Sequence, residues 1–369
     1  MKIILIFLST FFFRLAHGQV TPSGKLWGLA FGDYTVKVHA DSLKRGNTQY
    51  SGIPKNFSSF DIRRLYLGYD YTFNEKFAAE LLLSHEGNTD ANGNRTLFIK
   101  AANIRWKNIY KYADLLAGQM STPTYSLMEK IWGYRSIEKT IADMRRIGIS
   151  NDVGIALRGR FDSAGTIGYN LMIGNGTGPK PENDLFKKFY VNFYSKLFHQ
   201  QLVIDINADY ERMQNTPDSK NKSTLKLGLA WQQSNYTIGA EAFTQLQKNY
   251  IVAKRNSSLS DEDLDDDATG FSLFAKATIK KDKINLFARY DNYNPDSRFN
   301  NEFIYSGNYS SYREIFATAG IDITPYKNIH IMPNLWYNHY HDKKNNASAV
   351  QKSDYDLAAR CTLFVVFGK

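Results

Sequence analysis

The chain of 369 residues contains a single cysteine, Cys361, which excludes a disulfide framework within it. Beyond the N-terminal segment it lacks any apolar run of about eighteen residues, the length that a transmembrane helix requires. Its mean hydropathy is −0.43, and 22% of its residues are charged. These absences exclude a disulfide scaffold and a membrane protein built from helices.

Aromatic residues and positive charge are abundant instead. The chain has 24 tyrosines and 24 phenylalanines, and its formal net charge is +10. A basic protein commonly meets anions, which include nucleic acids, anionic lipids and anionic solutes. The aromatic content argues against a mainly helical enzyme.

The N-terminus has the pattern of a secretory signal peptide. Lys2 precedes an apolar stretch over residues 3–13, and Ala16-His17-Gly18 forms a small-x-small cleavage site. The alternative is a buried N-terminal strand or helix. We therefore expect a signal peptide over residues 1–18, removed on export, and one domain over residues 19–369.

The segment DVGIALRGRFDSAGTIGYNLMIGNG, residues 152–176, alternates apolar and polar side chains. Its apolar phase continues across a short turn, while Arg158 and Arg160 lie on the opposite face. Period-two alternation predicts β-strands, and similar segments of roughly ten residues recur along the chain. The alternation alone suits either a sandwich or a barrel.

The lengths of the connections distinguish these two folds. Seven short links alternate with eight long ones, which predicts about sixteen strands with both termini on the short-turn side. Outer-membrane barrels have this asymmetry of short periplasmic turns and long external loops. The long connections lie near residues 38–58, 87–94, 121–151, 175–185, 212–222, 249–268, 293–311 and 342–352.

We therefore predict an all-β fold, a transmembrane antiparallel barrel with an apolar outer face and a polar lumen. About sixteen strands leave a water-filled channel. The apolar phase shifts within residues 58–73, which requires a β-bulge at Arg63-Arg64. Aromatic girdles are expected from residues near strand ends: Tyr210, Trp231, Tyr236, Tyr290, Tyr337 and Tyr355.

Residues 115–161 resemble the phosphate-selective porin O and P family. The similar features are Gly118-Gln119-x-x-Thr122-Pro123, a long basic insertion, and a strand that opens Asp152-Val153-Gly154; residues 286–299 and 354–367 add to them. The resemblance implies a sixteen-stranded, usually trimeric barrel whose third external loop folds into the pore. It also implies uptake of anions, with phosphate held by lumenal arginines and lysines. The chain departs from the common aromatic terminus by ending Phe367-Gly368-Lys369.

Selectivity is expected from cations at the constriction and on the lumenal wall, since clusters of Arg and Lys select anions. The alternative for residues 121–151 is a loop packed on the wall with its charges paired. The candidate residues are Lys130, Arg135, Lys139, Arg145, Arg146, Arg158, Arg160, Lys188, Lys226, Lys276, Arg289 and Arg360.

Acidic side chains on the same lumenal face weaken the expectation of anion selectivity. The wall acids are Glu80, Asp205, Asp209, Glu241, Asp291, Glu314, Asp322, Asp354 and Asp356. Their number roughly balances that of the wall cations, which is typical of weakly selective pores. The acidic run over residues 260–270 is expected in an external loop, solvated rather than calcium-binding.

The leading hypothesis is a passive outer-membrane porin of a Gram-negative bacterium, a homotrimer that contacts lipid and lipopolysaccharide and passes small anionic or polar solutes. A structural or secretion-associated barrel remains the alternative. No nucleophile motif is present, so we expect no enzyme, catalytic residue, cofactor or metal. Nucleic-acid binding conflicts with the strand pattern and the signal peptide.

A channel specific for phosphate is a second hypothesis, with its own prediction. Phosphate would block the chloride current, and neutralising Arg145 and Arg146 would weaken that block because the bidentate grip of arginine on phosphate is lost. Titration of the current with phosphate measures the effect. An unchanged block in the double variant would contradict it.

Overall fold

The chain forms one closed antiparallel β-barrel. A computed structural model describes residues 21–213, 219–255, 259–305, 312–343 and 352–368. Within these residues seventeen strands form a single sheet. The first strand pairs with both the second and the last, so the sheet has no free edge. The segment expected to be a signal peptide lies outside the described residues.

Sixteen of the strands make up the barrel wall, and one two-residue strand, β14, lies outside it. The first eight are β1 (Ser23–His39), β2 (Ser58–Thr72), β3 (Phe77–His85), β4 (Phe98–Tyr110), β5 (Ala113–Ser121), β6 (Asn151–Arg160), β7 (Ile167–Gly174) and β8 (Lys188–Leu197). The others are β9 (Leu202–Arg212), β10 (Asn221–Gln232), β11 (Tyr236–Lys254), β12 (Glu262–Lys280), β13 (Ile284–Asn294), β14 (Ile304–Tyr305), β15 (Tyr312–Tyr326), β16 (Ile329–Asp342) and β17 (Ser353–Phe367).

The alternation of short and long connections is confirmed. The short ones gather at one end of the barrel, here called the short-turn end, and the long ones at the other, the long-loop end. Two helices, α1 (Pro123–Trp132) and α2 (Ile141–Met144), lie in the third long loop. Neither helix among the described residues is long and apolar enough to cross a membrane.

The two faces of the wall differ as the alternation predicts. On β9, Ile206 is 44% exposed on the outside, whereas the neighbouring Asp205 points inward and is fully buried. A charged lumen is therefore separated from an apolar exterior by a single layer of sheet. An outer face of this kind matches the hydrocarbon of a membrane.

The predicted β-bulge on β2 is confirmed. Phe31 pairs with Arg64 and Gly32 pairs with Ile62, so Arg63 is the extra residue in the register between β1 and β2. The bulge lets Arg63 and Arg64 both reach the lumen: Arg63 bonds to Asp33, and Arg64 bonds to Glu86. The shift in apolar phase thus has a physical cause.

The acidic run was wrongly predicted to be a loop. β11 and β12 are 19 residues long, well beyond the ~9–11 that span a bilayer, and β12 begins at Glu262. Two of the acids have basic partners at the end of this hairpin. Asp261 pairs with Lys254 at 3.2 Å and Asp265 pairs with Arg298 at 3.0 Å.

A charge on the outer face tests the assignment of that face to lipid. Ile155 is 58% exposed near the middle of β6. We expect Ile155→Arg to lower the free energy of unfolding in lipid by about 2–4 kcal/mol, because the guanidinium must enter hydrocarbon. Urea titration in lipid vesicles, followed by tryptophan fluorescence, measures the loss.

Ser126→Arg is the matched control, since Ser126 is exposed on α1 inside the barrel. The same side chain should cost little there because it meets water. Equal losses in both variants would contradict a lipid-facing Ile155.

Candidate functional site

The third long loop, residues 122–150, folds into the lumen. Its helix α1 starts with Pro123 in the first turn, where the missing N–H has no intrahelical partner to lose. The helix ends at Gly133, whose φ of 74° is a left-handed conformation that favours glycine. These two residues fix where the helix begins and ends inside the barrel.

The helix α1 packs on the wall through one apolar stripe. Tyr125, Met128, Ile131 and Trp132 are buried at helical spacing. Gly228 on β10 makes this approach possible, because a Cβ there would lie 2.6 Å from Met128. The opposite side of the helix carries the exposed Ser126 and Lys130 and faces open space.

Wall cations hold the loop by its backbone. Lys276 Nζ donates to the carbonyl of Ile131 at 2.7 Å, and Arg360 Nη2 donates to that of Ile137 at 3.1 Å. Arg289 and Arg63 donate in the same way to the carbonyls of Lys139 and Ser136. Since loop carbonyls accept these bonds, the four side chains fix the loop to the wall.

Other predicted cations are neutralised by carboxylates. Lys226 lies 3.1 Å from Glu241 and 3.5 Å from Asp205, and it is almost fully buried. Lys188 lies 3.1 Å from Asp209. On the loop, Arg145 pairs with Glu314 and also donates to Asn338. Arg145 is therefore engaged with the wall.

A charge-balanced network surrounds Arg135, at the place where the loop faces β2 to β4. Arg135 pairs with Glu129 and, at 2.7 Å, with Asp143. Lys139 lies 3.7 Å from the same Asp143. Burial disfavours the carboxylate of Asp143, but Arg135 and Lys139 outweigh burial and lower its pKa. The excess of positive charge predicted for this loop is thus largely offset by Glu129 and Asp143.

Glu86 is the wall's contribution to this network. Its carboxylate accepts from Arg64 at 2.9 Å and pairs with Lys100. Burial works against the ionised form, but Arg64 and Lys100 lower the pKa of Glu86 from 4.5 to about 2. We call Arg135, Glu129, Asp143, Arg64, Lys100 and Glu86 the Arg135 network.

Unpaired cations gather below the loop instead. A cavity of about 610 Å³, the short-turn cavity, is lined by Lys130 of α1 and by wall residues. Its cations, which form no ion pair within the described residues, are Lys107, Lys130, Arg158, Arg160 and Lys196. Arg158 donates to the carbonyl of Ser121 at 2.7 Å. Asp114 is the acid among the lining residues, so the cavity is strongly basic.

A second cavity, of about 300 Å³, opens toward the long-loop end and is called the long-loop cavity. Arg146 is exposed and lines it, together with Arg63, Arg64, Arg135 and Lys139. Asp61, Glu86 and Glu138 are its acids. The long-loop cavity therefore contains both cations and acids, whereas the short-turn cavity is strongly basic.

The structure therefore divides the twelve candidate cations into three groups. Lys276, Arg289 and Arg360 hold the loop, and Arg289 also pairs with Asp291. Arg135, Lys139, Arg145, Lys188 and Lys226 pair with acids, although Arg135 and Lys139 also line the long-loop cavity. Lys130, Arg146, Arg158 and Arg160 face open cavities. Within the described residues there is no group of three or more His, Cys, Asp or Glu side chains able to hold a metal ion.

Two features escaped the sequence analysis. Lys107 and Lys196 share the inward parity of Asn103 and Lys188, so the alternation could have identified them. The first long loop also folds inward: Tyr50 is buried against Trp336 and Phe316. Tyr50 is an isolated aromatic residue outside any alternating pattern, so the sequence does not predict that this loop folds inward.

Comparison with known proteins agrees with this geometry. The outer-membrane channel DcaP of Acinetobacter baumannii has a TM-score of 0.65 at 12% identity, covering 94% of this chain and 98% of that one. An anion-selective porin from Comamonas acidovorans has a TM-score of 0.61 at 11% identity, covering 94% and 100%. OmpT of Vibrio cholerae in its trimer form has a TM-score of 0.58 at 10% identity, covering 94% and 100%.

The chain has the fold of these outer-membrane barrels. No family model matches it, and no curated protein sequence matches it. At such low identity the likeness extends to the fold alone, so the residues of the lumen must be interpreted from their own contacts.

The low pKa of Glu86 predicts a pH-dependent stability. The ionised carboxylate stabilises the barrel fully above its ordinary pKa of 4.5, and this stabilisation is lost as the pH falls toward about 2. Glu86→Gln should therefore lower the Tm most above pH 4.5, with a difference that shrinks toward pH 2. Thermal unfolding in detergent across this range measures it.

Glu75→Gln is the control, since Glu75 is exposed in the turn after β2. It should leave the Tm unchanged throughout. A difference for Glu86→Gln that is independent of pH would show that packing, not charge, carries the effect.

Proposed function

We propose that the protein is a passive channel of the outer membrane of a Gram-negative bacterium, open to small hydrophilic solutes and ions. The observation that carries this proposal is the closed barrel with an apolar exterior and a charged lumen, narrowed by an inserted loop. A hydrated lumen with lining charges is what passive ion conduction requires. The fold shared with DcaP and the Comamonas porin supports it.

A preference for anions is the finer part of the proposal. Its support is the short-turn cavity, where five cations face one acid. Low-dielectric walls focus the field of such a cluster and raise the local concentration of anions. Phosphate selectivity has weaker support, because Arg145, Arg289 and Arg360 are bound to the loop or the wall.

Assembly and export complete the proposal. A homotrimer is supported by the trimer form of OmpT, which shares the fold. The signal peptide over residues 1–18 accounts for export, and the apolar band accounts for contact with lipid and lipopolysaccharide. A channel role, rather than an enzymatic one, is consistent with the porins among the structural neighbours.

Reversal potentials test conduction and selectivity together. In a planar bilayer under a potassium chloride gradient, we expect a chloride preference. Replacing Lys130, Arg160 and Lys196 together by glutamine should shift the potential toward equal permeability, because three unpaired positive charges leave the cavity. The single-channel current reports whether the pore remains open.

Lys55→Gln is the matched control: it removes one positive charge from an exposed position in the first long loop. Its reversal potential should equal that of the unmodified protein. A cation preference in the unmodified protein would refute the anion preference, and absence of any current would refute the channel.

A further inference from the structure

We infer that the short-turn end of the lumen holds a binding site for a small polyhydroxylated solute that carries one anionic group, such as a sugar acid. The inference rests on the proposed channel function, for which it names a class of solute. Its basis is a pair of connected cavities, here called the inner cavity and the mouth cavity, lined by residues between β10 and β17. They are separate from the short-turn cavity, with which they share no lining residue.

The inner cavity has a volume of about 380 Å³, within the ~300–1,000 Å³ typical of small-molecule sites. One side of it is apolar. Tyr134 and Met332 belong to the buried cluster that contains Trp132, and Phe364 packs against that cluster. Neutral polar side chains make up much of the remaining lining: Ser136, Gln233, Ser234, Asn235, Thr237, Thr278 and Asn285.

The ionised side chains of the inner cavity already have partners within the protein. Asp322 accepts from Tyr134 Oη at 3.2 Å and from His330 Nδ1 at 2.8 Å. Lys276 Nζ donates to the carbonyl of Ile131 at 2.7 Å. One cation and one carboxylate offset each other here, so the inner cavity has little net charge with which to select a simple ion.

His330 and Asn285 present hydrogen-bonding atoms to the inner cavity. Because the carboxylate of Asp322 can only accept, His330 Nδ1 carries the proton, and Nε2 of the neutral ring is left as an acceptor. Thr278 Oγ1 donates to Asn285 Oδ1 at 2.8 Å, which leaves the amide hydrogens of Asn285 as donors. Within the described residues neither Nε2 nor this amide nitrogen forms a hydrogen bond. A hydroxyl group both donates and accepts, so it matches this pair.

An apolar surface adjoins these polar atoms. The rings of His330 and Phe364 have centroids 5.5 Å apart and an interplanar angle of 31°. Small-molecule sites commonly combine aromatic surface with a few placed polar groups. A sugar ring, with C–H groups on its faces and hydroxyls at its edge, has the complementary distribution.

The mouth cavity, of about 990 Å³, lies between three short turns. Its lysines, Lys281, Lys283 and Lys327, form no ion pair within the described residues, and Asp282 is its acid. The two cavities are continuous, because they share five lining residues: Ser234, Asn235, Thr278, Asn285 and His330. A solute with its hydroxyls in the inner cavity would therefore place an anionic group in the positive field of the mouth.

Three probes test the two parts of the site separately. Glucuronate has both a sugar ring and a carboxylate, glucose lacks the carboxylate, and acetate lacks the hydroxyls. In titrations of the folded protein in detergent, followed by saturation-transfer NMR, we expect glucuronate to bind about tenfold more tightly than either of the others. Equal binding of acetate would overturn the role of the hydroxyls, and equal binding of glucose that of the anionic group. No binding of glucuronate would overturn the site.

Thr278→Val together with Asn285→Ala tests the inner cavity. Loss of the hydroxyl and the amide should weaken the binding of glucuronate and of glucose by about tenfold each, because two hydrogen bonds are lost. The matched control is Thr89→Val with Asn92→Ala, at exposed positions of the second long loop, and it should keep both affinities. Unchanged affinities in the first variant, with the folded barrel verified by its resistance to protease, would overturn the inner cavity as the site.

The mouth is tested by replacing its lysines with glutamine, in Lys281→Gln, Lys283→Gln and Lys327→Gln combined. Binding of glucuronate should fall to the level of glucose, while binding of glucose stays unchanged. The matched control replaces three lysines that are exposed at the same end and line neither cavity: Lys25, Lys76 and Lys111. A preference for glucuronate that persists in the first triple variant, or is lost in the control, would overturn the role of the mouth.

Binding in detergent is measured without conduction, so the two proposals fail separately. A protein that binds glucuronate but passes no current in a bilayer refutes the channel. A protein that conducts but binds no glucuronate refutes the site alone.

Discussion

Every backbone N–H and C=O that enters a hydrocarbon layer must find a partner within the protein, since lipid offers none. In this chain the requirement is met by the pairing of β1 with β17, which closes the sheet. Closure then determines the rest. The outer face must be apolar, and the inner face is left free to carry charge. Without this pairing, neither an insulated lumen nor an inserted loop could exist.

The lumen is filled mainly by the third loop. The third loop is joined to the wall by two kinds of contact: buried aromatic and aliphatic clusters, and cations that donate to loop carbonyls. Each carbonyl bonded to Lys276 or Arg360 would otherwise be exposed or left unpaired inside the barrel. These cations, which the sequence makes candidates for anion selectivity, therefore have a structural role in the fold.

Electrostatics in the remaining sector depend on which charges are paired. The Arg135 network is nearly neutral, because Glu86, Glu129 and Asp143 offset its cations. Below it, Arg158 and Arg160 have no carboxylate within ion-pair distance in the described residues. The cations without a carboxylate partner therefore lie in the short-turn cavity rather than around Arg135. The formal net charge of +10 does not reveal how paired and unpaired charges are distributed in the lumen.

Sequence alone determined the barrel, because a period of two and the alternation of short and long connections follow from local geometry and from the demands of lipid. It also located the β-bulge at Arg63-Arg64, whereas the inserted loop was expected only from the resemblance to a known family. It failed where residues far apart in the chain meet. The acidic run continues a strand because its backbone pairs with residues 246–253 of β11, and Arg289 serves the loop because Lys139 presents a carbonyl to it. The alternation of side chains along a strand determines the face of the sheet on which each one lies. Only the tertiary structure determines its partner, because pairing depends on distances across the lumen.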